Sequence, residues 1–312
     1  GKNMSKLCLG LVALTALVPL GANADVAVGD LPENTVWYMH ADLEAMRSGD
    51  AGSTVYQWFE DEVVVELKDE IGIDIGEEVD SVTAFSDSED GTIIIVSGPI
   101  TKPTQEKLLA IAATKGPVDP REFDDQTYYF FGDEEDIDDN GDEFFEDLED
   151  AVFVSFAIDG KILITGTDRQ MRGLLDNKGK VAGTGSHDGA LLILSANKAL
   201  VQAGINTDGI VDAGDGDDWE SNIVRNTEQA ALLMADESGQ LAIEAQLVST
   251  DPKMAEAIGG IVNGLIALQA FNSELGPELQ SLIRNTRVEV LENILSINMV
   301  IDPQLVVTVL GD

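Results

Sequence analysis

The 312-residue chain carries 58 Asp and Glu against 18 Lys and Arg, a formal charge of −40 at pH 7, and 44% of its residues are hydrophobic. A field of that sign repels nucleic acid and anionic lipid head groups and draws in cations and basic protein surfaces. The acids alternate with apolar residues or gather in short clusters, and strand-like runs recur to the C-terminus, so the composition is that of a folded polyanion rather than a disordered one.

Residues 1–24 are expected to be a secretory signal peptide behind a short upstream extension, Gly1–Asn3. From Met4 the chain shows a basic head at Lys6, an apolar run from Leu7 to Leu20 and the small-residue exit Ala22-Asn23-Ala24, with cleavage after Ala24. The apolar run falls short of the roughly 20 residues a membrane-spanning helix needs, and Pro19 and Gly21 interrupt its end. The expected location is therefore secreted or periplasmic, with no transmembrane anchor after cleavage. Cys8, the only cysteine, lies inside the apolar run, so residues 25–312 offer no disulfide, thiol nucleophile or thiolate metal site. Lys2 and Lys6 are the only charges before residue 25, and losing them leaves the chain still more negative.

In residues 25–180 the strand-like runs are Val36–Ala41, Val79–Phe85, Thr92–Pro99, Thr127–Phe131, Val152–Ile158 and Lys161–Gly166. The last two flank Asp159-Gly160, a strong hairpin signal. Helical patterns cover Leu43–Arg47, Val55–Lys68, Thr104–Ala113 and Asp168–Leu175.

Residues 181–312 repeat much of this order. Strands are expected at Ala190–Ala196, Gln229–Ala235, Gln240–Val248, Arg287–Val290, Ile294–Ile301 and Leu305–Leu310, and helices at Asn197–Ala203, Trp219–Asn226 and Pro252–Ala270. The segment from Asp87, DSEDGTIIIVSGPITKPTQEKLLAI, aligns with the segment from Asp236, DESGQLAIEAQLVSTDPKMAEAIGGI. Each runs from an acidic glycine turn through an alternating strand to Thr, a Pro two residues on, and a helix. Pro103 and Pro252 suit first helical turns, with Thr101 and either Thr250 or Asp251 placed as caps. The expected fold is α+β: two related β-α-β-β-α-β-like halves, mainly antiparallel, with helices packed on one face.

The run Met254–Phe271 is apolar over most of its circumference. It is expected to be the central helix of a core, with Gly259, Gly260 and Gly264 permitting close packing, or else to line a cavity for a lipid or other apolar ligand.

Between Asp133 and Asp150, 12 of 18 residues are acidic. Within this run Asp136-Ile137-Asp138-Asp139-Asn140-Gly141-Asp142 resembles the first part of an EF-hand-type calcium loop. There, alternate side chains converge on the ion and a glycine allows the sharp turn. The resemblance implies side-chain ligands at Asp136, Asp138 and Asn140, a carbonyl ligand at Asp142, and closure by Asp147, where the pattern ordinarily carries a glutamate. It covers about a dozen residues, implies a bound calcium ion there, and implies nothing about the rest of the chain. The alternative is a solvated acidic loop. A second acidic turn, Asp208 through Glu220, has no recognised ligand register.

Catalytic patterns are scarce. Of the two histidines, His40 sits in a strand and is expected to be packed or hydrogen-bonded, and His187 lies in Gly185-Ser186-His187-Asp188-Gly189, where adjacency is the wrong geometry for a triad. No nucleophile elbow, P-loop or zinc-protease motif occurs. The leading expectation is an exported, non-catalytic binding, scaffold or surface-associated protein with calcium in its acidic loop. A carrier of an apolar ligand comes second, and a hydrolase working with paired carboxylates third.

Overall fold

The computed structural model describes residues 35–65, 68, 74, 76–87, 91–132, 151–181, 189–198, 225–270 and 277–311. It is a mixed helix-and-strand protein that divides into two compact units. Of the described residues, the first unit takes 35–44 and 56–181 and the second takes 45–55 and 189–311.

In the first unit, β1 (Thr35–Asp42), β2 (Ser81–Asp87), β3 (Gly91–Ser97), β4 (Val118–Phe123), β5 (Gln126–Gly132), β6 (Ala151–Ser155) and β7 (Lys161–Thr165) stand in the order β1-β2-β3-β7-β6-β5-β4. Every neighbouring pair is antiparallel. Helix α1 (Leu43–Ser48) follows β1. Helix α2 (Asp50–Phe59) comes next and runs into a π-helical turn at Glu60–Val64. Helix α3 (Lys102–Lys115) follows β3 and α4 (Asp168–Asp176) follows β7.

Alternation fills the first core: Tyr38, Tyr128, Phe153 and Leu163 on strands and Met171 and Leu175 on α4 are essentially inaccessible to solvent. Burial raises the Tyr38 hydroxyl well above the ordinary tyrosine range. α4 opens with a reciprocal cap. The Thr167 hydroxyl accepts from the Gln170 amide at 3.2 Å, and the Gln170 side chain accepts from the Thr167 amide at 3.2 Å.

In the second unit, β8 (Ala190–Asn197), β9 (Thr227–Glu237), β10 (Gln240–Ser249), β11 (Arg287–Leu291) and β12 (Ile294–Ile301) stand in the order β8-β9-β10-β12-β11, again antiparallel throughout. Besides Ala45–Val55, which hold most of α1 and the start of α2, its helices are α5 (Pro252–Ala270), α6 (Pro277–Asn285) and α7 (Pro303–Gly311). Ile193, Met234, Leu241, Ile243 and Leu295 form its innermost layer.

Three expectations change. Leu305–Leu310 is helical rather than a strand: the alternation of Val306, Val307 and Val309 reads as β, but the Asp302 side chain accepts from the Gln304 amide at 2.8 Å and Pro303 supplies a preset first turn. α2 starts at Asp50 rather than Val55, because Asp236 Oδ2 accepts from the Ala51 amide at 2.7 Å and from the Gly52 amide at 3.2 Å. Strand β4 and helix α6 were unexpected; β4 carries Pro120 among charges, and its turn into β5 is Asp124-Asp125, both with positive φ (48° and 62°) but without the usual glycine.

The α5 expectation is also corrected. Ala255, Ile258 and Gly259 are buried, while Leu268 is 71% exposed and Ile261 and Leu265 are half-buried. Only Gly259 is used for close approach: a Cβ there would meet Val290 at 2.8 Å and Leu295 at 3.3 Å, whereas Gly260 and Gly264 face open space.

Candidate functional site

The residues expected to bind calcium, Asp136, Asp138, Asn140, Asp142 and Asp147, lie outside the described residues, as do His187, the acidic turn 208–220 and the signal segment. Among the described residues no group of three or more His, Cys, Asp or Glu stands close enough to hold a metal ion. His40 is buried, and its Nδ1 lies 2.8 Å from the Thr83 hydroxyl across the β1–β2 ladder, the packed role expected of it.

The first unit carries a cleft of about 410 Å³ between α3 and the start of β5. Leu109 from α3, Tyr129 from β5 and Phe156 just beyond β6 give it an apolar floor, the two rings 6.5 Å apart at 55°. Lys102, Glu106 and Asp125 stand at its rim. Gln126 lines it too, and the buried side-chain oxygen of Gln126 has no hydrogen-bond partner among the described residues. A buried acceptor left open is uncommon in folded proteins and calls for an account.

Local chemistry places these groups. Thr101 is extended at the start of α3 but uses its hydroxyl and amide on Glu78, the amide at 2.9 Å, and Thr104 donates to the same carboxylate at 2.8 Å. Glu78 thus draws the Thr101 hydroxyl away from the capping bond expected of it, and ties Thr101 and Thr104 at the first turn of the helix that walls the cleft. On the other wall, the Asp124-Asp125 turn brings Asp125 to the rim.

Behind β5, on the face it turns to the core, lies a closed polar network. The Tyr128 hydroxyl donates to Asp168 Oδ1 at 2.7 Å, Arg172 Nε pairs with Asp168 Oδ2 at 2.6 Å, and Arg121 reaches Oδ1 at 3.9 Å. The Arg121 guanidinium lies 4.8 Å above the Phe130 ring and 5.5 Å from that of Phe153. Burial, and then the hydrogen bond to Asp168, raise the Tyr128 hydroxyl above its ordinary value, so it is a neutral donor at working pH. Both Asp168 oxygens are committed, so this carboxylate positions β4, β5 and α4 on one another.

Sequence reasoning missed the cleft because its signal is split: Leu109, Gln126, Tyr129 and Phe156 share no spacing, and the turn that joins β4 to β5 lacks the glycine that announces a hairpin.

No protein-family description matches the chain, and no curated protein matches it. Solved structures of TP0453 are similar at 11% identity. Crystal form III covers 95% of this chain and 99% of that one at a TM-score of 0.45, and crystal form IV covers 96% and 99% at 0.46. Crystal form I covers 93% and 98% at 0.42. Likeness at that level carries no argument about fold or function. Among the described residues no helix is long and apolar enough to cross a membrane.

Proposed function

We propose that this is an exported, non-catalytic binding protein for basic protein surfaces, and that the α3–β5 cleft of the first unit receives a cationic side chain. The observation that carries the reading is the aromatic floor of Tyr129 and Phe156 beneath a rim where two carboxylates, Glu106 and Asp125, outnumber the one ammonium of Lys102. The stem of an Arg or Lys packs on Tyr129 and Phe156, its charged head lies against the rings, and the carboxylates complement its charge. The chain's overall negative field steers such partners toward it.

The test uses a short arginine-bearing peptide in about 0.3 M NaCl, where the Debye length falls below the ~8 Å of physiological salt and general attraction is damped. Peptide-induced NMR shifts are expected to centre on Tyr129 and Phe156 and to vanish in the double variant Glu106→Gln with Asp125→Asn. Shifts spread over the acidic surface and unchanged in that variant would remove the proposal.

Calcium in the loop 136–147 completes this reading. It rests on the D-x-D-x-N-G spacing, and even a weak site with a dissociation constant of about 10⁻⁴–10⁻³ M fills outside the cell. Chelation is expected to lower the melting temperature, and Asp136→Ala with Asp138→Ala to abolish that response; a melting curve indifferent to chelator would count against the site.

The finer architecture is part of the same proposal: the two units descend from one duplicated β-α-β-β-α-β-like unit with helices gathered on one face of each sheet. Supporting it, β1-β2-β3-β7-β6 in the first unit has the order of β8-β9-β10-β12-β11 in the second. The hairpins β2–β3 and β9–β10 lead into helices with a proline in the first turn, α3 and α5 respectively, and the hairpins β6–β7 and β11–β12 lead into α4 and α7 respectively. The carrier reading is less favoured, since Ile261, Gly264, Leu265 and Leu268 form an apolar shelf open to solvent rather than a chamber.

A further inference from the structure

We propose that the edge strand β11 and the outer face of α5 form the interface of a two-fold dimer, the occupant being a second copy of this chain. Among the described residues β11 pairs only with β12, so one row of its backbone donors and acceptors is unclaimed. Its sequence, Arg-Val-Glu-Val-Leu, has neither a proline nor a bulge to interrupt the edge, whereas the terminal strand of the other unit, β4, carries Pro120 between Asp119 and Arg121.

Val290 and, by alternation, Val288 face α5, as the approach of Gly259 to Val290 requires. Arg287, Glu289 and Leu291 face the other way, all exposed, Leu291 at 76%. α5 packs on β10, β11 and β12 and leaves Leu265 and Leu268 as an apolar shelf.

Charge selects the partner and the register. If two β11 strands pair antiparallel about Val288, each Arg287 falls opposite Glu289 of the second copy, giving two opposite-charge cross-strand pairs on one face. The two Val288 side chains meet on the other face, beneath the paired α5 shelves. Sliding the axis to Glu289 would set the two carboxylates against each other, a costly arrangement in a chain already at −40. The edge is therefore self-complementary in one register, as an isologous interface must be.

Sedimentation velocity on the purified full chain, from about 1 to about 100 µM in 0.15 M NaCl, is expected to show a concentration-dependent dimer. Arg287→Glu replaces both attractive pairs with repulsive ones and is expected to weaken association at least about tenfold, while Arg287→Glu with Glu289→Arg restores it. A chain that stays monomeric throughout that range, a single variant that associates as tightly as the parent, or a double variant that fails to recover would each overturn the proposal. Circular dichroism of the single variant separates lost pairing from lost folding.

Discussion

Phe153→Ala is expected to lower stability by about 3–5 kcal/mol. The ring is 1% exposed, lies 4.9 Å from Phe130 and 6.3 Å from Tyr128, and forms half of the aromatic bed under Arg121. Truncation leaves a cavity that β-strands pinned by ladders on both sides cannot close, since β6 is paired with β5 and with β7. Arg121 also loses part of its support above Asp168. Hydrogen exchange distinguishes this from a general loosening: amides of β5, β6 and β7 should lose protection while those of β9, β10 and β12 keep theirs. A loss below about 1 kcal/mol, or equal deprotection of both units, would contradict the packing described.

Gly98→Ala is expected to cost about 3 kcal/mol or more, for a different reason. A Cβ at Gly98 would overlap the Glu78 carbonyl oxygen and stand 2.8 Å from the Asp80 amide nitrogen. Both are backbone atoms, and neither can swing aside: the Asp80 amide donates to Ser97 at 2.8 Å, and the Gly98 amide donates to Gly160 at 3.0 Å. The strain would pass to Glu78, whose carboxylate holds the first turn of α3, so exchange at 101–109 should quicken and the α3–β5 cleft should loosen. Gly173→Ala, inside α4 with open space around it, is the matched control and should stabilise by about 0.5–1 kcal/mol. Equal effects of the two changes in a urea titration would show the close approach at Gly98 to be unimportant.

Much of the fold was legible because its signals are local. Alternation marked β1, β3 and β10, Asp159-Gly160 marked the β6–β7 hairpin, and Pro252 with Asp251 fixed the start of α5, where Asp251 accepts from the Lys253 and Met254 amides at 2.9 and 3.0 Å. Failures came where a distant group decides. α2 begins at the carboxylate of Asp236, far along the chain, and Glu78 engages the Thr101 hydroxyl that was expected to cap α3. Valines favoured a strand at the C-terminus until a local cap at Asp302 overrode them. The cleft assembles residues from a helix, a turn, one strand and the segment that follows another, so no periodicity could point to it. α5 shows the converse: a composition apolar enough for a core helix says nothing of whether its outer face is covered.

The bonds that Asp236 accepts from Ala51 and Gly52 span 185 and 184 residues, and they tie Ala45–Val55 to the unit made last. During synthesis at about 5–20 residues per second, roughly 10–40 seconds separate those amides from their acceptor. Strand β1 can meet β2 and the first unit can close within that interval, while the start of α2 waits with its amides turned to water. Completion of the second unit is thus set by the return of a segment translated before most of the first, and a chain interrupted before β9 would present that uncapped turn to whatever surface it met.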